Sequence, residues 1–107
     1  MRMTPEMRKT ELMDHAVRLA KDPSIGYYNV RREQLAKAAG VAPALVNHYY
    51  GTVKQLQRDI LRRAIHLGVA AIVAQGRMRM DPVAITACEA NMDLRDAVDQ
   101  YLRGVGV

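Results

Sequence analysis

The run Ala42-Pro43-Ala44-Leu45-Val46-Asn47-His48-Tyr49-Tyr50 sets an amide, an imidazole and two phenols directly behind a tight apolar patch. Such a burst has three uses. A core buries the rings, a catalytic site uses the imidazole as acid or base, and a nucleic-acid reader shows donors and acceptors to phosphates and bases. Catalysis finds little else to work with here. No Ser-His-Asp or Cys-His set occurs at a convincing spacing, and Gly40 and Gly51 belong to no phosphate-cradling loop. His15 lies one turn after Glu11, a metal-compatible spacing, but no further ligand stands nearby. The two read as a surface pair, and neither a metal nor any other cofactor is implied. Cys88 is the single cysteine, so neither an intrachain disulfide nor a thiolate cluster can form, and its apolar setting marks an inert buried thiol. The chain reads as a binding protein and not as an enzyme.

Charge narrows the partner. The formal charge is +5, and residues 1–66 hold 12 Lys/Arg against 6 Asp/Glu while residues 67–107 hold 4 against 5. A basic front half suits a polyanion, although a solvated basic surface has the same composition. At 107 residues, half of them apolar, the chain is one small domain, alone or with an appendage. With no Trp and no Phe, its core is aliphatic, with Met filling gaps. The opening MRMTPEMRK lacks the apolar region of a signal peptide, and the longest apolar run, Val69 to Ala74, is too short to cross a bilayer. A soluble, cytoplasmic protein with no membrane partner is expected.

The elements that must position the polar run are all helical. Thr4-Pro5-Glu6 is a helix start, and Leu12, Met13, Ala16, Val17, Leu19 and Ala20 continue it as a stripe until Asp22-Pro23. SIGYYNV is a linker with a turn at Gly26. A short helix spans about Arg32 to Ala39 and stops at Gly40, a left-handed cap. Pro43 starts another, to about Tyr50. Thr52 and Gln55 form a capping box opening a long fourth helix, whose apolar face runs from Val53 through Leu56, Ile60, Ala64, Leu67 and Ala71 to about Gln75. A fifth helix is expected at roughly 83–92. Asp93 caps a sixth, striped by Leu94, Ala97, Val98, Tyr101 and Leu102. Nothing alternates with period two, so the fold class is all-α.

Two short helices joined by Gly40-Val41-Ala42 form a helix-turn-helix, in which the first helix braces and the second faces the major groove. The longer stretch GYYNVRREQLAKAAGVAPALVNHYYGTVKQL resembles the DNA-binding region of the tetracycline-repressor (TetR) family. The matching positions are Gly26-Tyr27, Leu35-Ala36, Ala39-Gly40-Val41-Ala42, Ala44-Leu45-Val46 and Tyr49-Tyr50-Gly51-Thr52. The resemblance covers about residues 5–66. It departs at Asn47, where the family usually has Tyr, at Val53, where it has a phosphate-binding Lys, and at Arg31, where it has a Thr/Ser cap. The chain is also far shorter than is usual in the family. The resemblance implies a TetR-like helix-turn-helix DNA-binding domain at 1–66, its fourth helix continuing, and a short helical dimerisation region at 67–107.

It further implies that Val46 and Tyr50 pack inward while Asn47, His48 and Tyr49 face DNA. Tyr49 would donate to a phosphate oxygen, and Asn47 would bond either a phosphate or an adenine edge. His48 reads equally as a phosphate donor or as an ordinary surface histidine. Ala42, Pro43 and Ala44 would lie against base edges, and Arg31, Arg32, Thr52 and Lys54 would contact phosphates. Arg62-Arg63 read as a solvated or dimer-edge pair.

The function so implied is a sequence-specific transcriptional regulator, a homodimeric repressor on a palindromic double-stranded operator. Dimerisation would use helix four and the C-terminal helices, because an all-apolar Leu67–Ala74 would otherwise be wet. Helices of about ten residues leave little room for a small-molecule pocket, and such compactness suits a phage or plasmid regulator governed by its concentration or by a protein antagonist. The alternative is a protein-interaction module, an adaptor or antirepressor, that keeps the fold without binding DNA.

Overall fold

A computed structural model of the chain describes residues 3–105. These form seven α-helices and one 3₁₀ turn, with no strand among the described residues, so the fold is all-α as expected. The helices are α1 (Pro5–Lys21), α2 (Arg32–Ala39), α3 (Pro43–Tyr49), α4 (Val53–Leu67), α5 (Ala70–Met78), α6 (Pro82–Ala90) and α7 (Met92–Gly104). They divide into two compact units, Met1–Ile60 and Leu61–Val107, with α4 contributing to both.

In the first unit, Thr4 caps α1 by accepting from the Met7 N–H at 3.1 Å, and Pro5 fits the first helical position, where no intrahelical donor is needed. Leu12, Met13, Ala16, Val17 and Ala20 form the buried stripe of α1. At its end Asp22 folds back on Ser24, whose N–H and hydroxyl both donate to the Asp22 carboxylate and hold it below the usual carboxylate range. The expected linker contains a 3₁₀ turn at Tyr27–Asn29, entered through Gly26 at φ 73°. Helix α1 packs against α2, and α2 against α3. Gly40 closes α2 at φ 70°, ψ 34°, a left-handed conformation that costs a side-chain-bearing residue about 1–2 kcal/mol.

The second unit departs from the sequence reading. The stripe that suggested a helix running to Gln75 is cut at Gly68. There φ is 70°, the Val69 N–H reaches back to the Ala64 carbonyl at 2.8 Å, and the Gly68 N–H bonds the Ile65 carbonyl at 3.2 Å. This pair of bonds closes a helix end and frees α5 to change direction. Helix α5 packs on α6 and α7, and α6 on α7. Ile72, Val73 and Ala74 are buried. The Ile72–Ala74 end of the apolar Leu67–Ala74 segment is therefore covered within the chain, which removes part of the wet surface that argued for a dimer. Leu67 is 49% exposed, Gly68 is exposed too, and Val69, Ala70 and Ala71 are half-buried.

Capping in this unit follows acceptor geometry. Asp81 accepts from the Val83 N–H at 3.0 Å and opens α6 one residue before Pro82 is followed by Val83. Asn91, not Asp93, caps α7 by accepting from the Leu94 N–H at 3.0 Å, and Met92 thus begins α7 instead of ending α6. Leu94 and Val98 of the expected stripe are buried, and Ala97, Tyr101 and Leu102 are half-buried. An Arg77–Asp99 ion pair links α5 to α7, and the Asp99 carboxylate raises the guanidinium's already high pKa further. Cys88 is buried and forms no disulfide.

Candidate nucleic-acid interface

The candidate interface centres on α3, a helix that buries only Val46 among its seven residues. Ala42 stands at its N-cap and Pro43 at its first position, so the helix starts without a side-chain acceptor. Ala42, Pro43, Ala44, Asn47 and His48 are exposed, and Tyr49 is half-buried. The His48 and Tyr49 rings meet edge to face, 5.0 Å between centroids at 75°, a geometry that sets both rings without burying their polar tips.

The inward side is locked. Val46 is fully buried and Tyr50 is 2% exposed. The Tyr50 hydroxyl donates to the Lys9 carbonyl of α1 at 2.9 Å, and the Lys9 ammonium lies over the Tyr50 ring at 5.4 Å. A buried phenol needs such an acceptor, since its unmade hydrogen bond would cost about 1–3 kcal/mol. The question raised by the polar run thus has a split answer: its last tyrosine belongs to the core, Asn47 and His48 face out, and Tyr49 is half-buried.

The basic residues divide in the same way. Arg31 is exposed at the N-cap of α2, where its guanidinium has no acceptor to offer the helix. The Gln34 side chain does half of the capping instead, accepting from the Arg31 N–H at 3.4 Å. Arg32 is half-buried, and its Nη1 donates to the Gly51 carbonyl at 2.7 Å. Thr52 and Lys54 are exposed. Thr52 Oγ1 accepts from the Gln55 N–H at 3.0 Å, but Gln55 turns its amide to Asp59 at 3.0 Å and leaves the box half made. The hydroxyl hydrogen of Thr52 remains available to an outside oxygen.

Sequence reasoning did not find Gln57, whose amide donates to the Val30 carbonyl at 3.4 Å, nor the Lys9–Tyr50 contact. No local pattern signals either, because each joins residues far apart in the chain. His15 pairs with Arg18 through Nδ1 at 2.7 Å. Among the described residues no group of three or more His, Cys, Asp or Glu side chains is placed to hold a metal ion. No described helix is long and apolar enough to cross a membrane.

The fold and the exposed α3 define an all-α protein of the helix-turn-helix class. The HTH-type transcriptional regulator BetI of Rhizobium meliloti (strain 1021) is 34% identical to the chain over 101 residues, which is 94% of this chain and 42% of that protein. The chain therefore spans about two fifths of that relative's length. No family model matches the chain, and no solved structure matches it.

Proposed function

We propose that the chain is a sequence-specific DNA-binding transcriptional regulator, not an enzyme, that acts as a homodimeric repressor. The observation that carries this reading is the two-sided α3. Val46 and Tyr50 anchor the helix, while Asn47 and His48 project from it with Arg31, Thr52 and Lys54 exposed at the neighbouring helix starts. The similarity to a helix-turn-helix regulator supports the same reading. Ala42, Pro43, Ala44 and Asn47 lie against base edges, whereas Arg31, His48, Tyr49, Thr52 and Lys54 hold phosphates.

One such helix reads only a few base pairs. Two copies on a palindrome, with recognition helices about 34–36 Å apart, give a site of useful length. The dimer surface involves the second half of α4 and the C-terminal helices, where Ile65, Val83 and Ala87 line an open groove of about 490 Å³. Met78, Met80 and Met92 add exposed apolar area to this unit.

The test is binding to random duplexes, then to duplexes selected from them, across a salt series. Phosphate contacts make log K fall steeply with log salt, by close to one unit of slope per neutralised phosphate. A flat salt response would instead favour a protein-interaction module built on the same fold.

A further inference from the structure

We propose that Arg32 is a positioning residue for DNA reading, one that fixes the α3–α4 turn against the start of α2 and makes no phosphate contact of its own. This rests on the DNA-binding reading above. Arg32 occupies the first position of α2, and its Nη1 donates at 2.7 Å to the carbonyl of Gly51, nineteen residues further along. Between the anchored Tyr50 and the Thr52 cap, few side chains pack on that turn. Tyr50 leaves α3 in a non-helical conformation, at φ −134° and ψ 77°. Gly51, Thr52, Lys54 and Gln55 are exposed, Val53 is half-buried, and a Cβ added at Gly51 would meet nothing within 4 Å.

Packing resumes only at Leu56, which is fully buried. Between Tyr50 and Leu56 the backbone depends on hydrogen bonds for its placement, and the tie is reciprocal. Arg32 reaches from α2 to Gly51, while Gln57 reaches from α4 back to the Val30 carbonyl, just ahead of α2. Together they hold the α3–α4 turn against the start of α2. They also set where α3 ends. A guanidinium so engaged, on a half-buried residue, serves geometry. Its exposed neighbour Arg31 carries the charge that a phosphate would meet.

The experiment uses the full chain and the variants Arg31→Ala, Arg32→Ala and Gln57→Ala. Fluorescence anisotropy across a salt series reads affinity for a duplex selected from a random pool and for an unrelated duplex, and thermal melting reads the fold. Arg32→Ala should weaken binding to the selected duplex about tenfold, in line with loss of one charged hydrogen bond. Its affinity for the unrelated duplex should stay within about twofold and its salt slope unchanged, because no phosphate contact is lost. Gln57→Ala, which removes no charge, should show the same pattern more weakly. Arg31→Ala should weaken both duplexes and flatten the slope by about one.

If Arg32→Ala flattens the slope as Arg31→Ala does, Arg32 is a phosphate contact and the proposal is overturned. Equal losses on both duplexes with a lowered melting temperature would make its role merely structural and overturn it too. Selective binding that is the same in the unaltered chain and in Arg32→Ala overturns this proposal alone. Failure of the unaltered chain to bind either duplex overturns the DNA-binding reading and this proposal with it.

Discussion

Helix α3 buries only Val46 among its seven residues, whereas α5 buries Ile72, Val73, Ala74 and Gly76 among its nine. The two short helices serve opposite ends. Helix α5 is covered by α6 and α7 and exists to be packed, and burying each of its large aliphatic side chains contributes about 1.5–3 kcal/mol. Helix α3 gains little from burial of its own. It is held instead by one buried valine, by the hydrogen-bonded Tyr50 that follows it, and by packing against α2. The units differ likewise in composition. Residues 1–60 carry ten Lys/Arg and four of the five tyrosines, while residues 61–107 carry six Lys/Arg and a single tyrosine. Both units bury aliphatic side chains, but the first also carries most of the basic residues and tyrosines, and its α3 is the helix that buries fewest.

The strongest challenge to this contrast is a charge inside α5. Ile72 is fully buried, so Ile72→Glu should cost about 4 kcal/mol or more and unfold the second unit. Circular dichroism and amide spectra would show the loss. A folded monomer with a parental melting temperature would mean that α5 is not the packed helix described.

Asn47→Ala probes the other helix. It should leave stability almost untouched, since Asn47 is exposed, yet cost about 1–3 kcal/mol on a selected operator if the amide pairs with adenine. Equal losses on selected and random duplexes would move Asn47 to the phosphate contacts. No loss on either would count against α3 as the reading helix.

A matched pair sharpens the comparison. Gly40 and Gly68 share φ 70°, and an added Cβ meets nothing within 4 Å at either. Gly40→Ala and Gly68→Ala should therefore each destabilise by about 1 kcal/mol through backbone conformation alone. Only Gly40→Ala should also weaken DNA binding, because its turn sets α3 against α2. Parallel melting and anisotropy measurements separate the two effects.

The smallest effect is a gain. Met80 sits at φ 58°, 73% exposed, in a helix end closed by the Asp81 N–H on the Gly76 carbonyl at 2.9 Å. Met80→Gly should stabilise the second unit by about 0.5–1 kcal/mol by relieving that conformation. Chemical denaturation would detect it as a raised midpoint with an unchanged slope. A lowered midpoint would show that the methionine side chain has a packing role that its exposure hides.

Much of this fold is written locally. The Thr4 and Thr52 caps, the proline starts at Pro5, Pro43 and Pro82, and the left-handed stop at Gly40 each depend on residues within a few positions, so the bounds of α1, α2 and α3 are legible in the amino-acid order. The inward face of Val46 and Tyr50 was legible too, through family resemblance. Elsewhere local signals competed. A glycine inside a helix costs only about 1 kcal/mol, so an unbroken apolar stripe across Gly68 reads as one helix. Burial of Ile72 and Val73 under α6 and α7 settles the contest, because a chain that turns at Gly68 can cover that stripe with itself. Asp93 reads as the cap of the last helix, and only the tertiary structure shows that Asn91 takes that place by accepting from the Leu94 N–H.

Spacing by itself determined the all-α class and the helix-turn-helix pair, since caps, turns and stripes act over one or two helical turns, while the outward face of Asn47 and His48 followed only from the family resemblance. Tertiary structure alone decided that an N–H of the Arg32 guanidinium meets the Gly51 carbonyl, that Gln57 answers it at Val30, and that Tyr50 hangs on the Lys9 carbonyl. These bonds join residues 19, 27 and 41 positions apart. Whether such a side chain meets a carbonyl or a phosphate depends on where the packed core brings the distant backbone, and no local pattern carries that information.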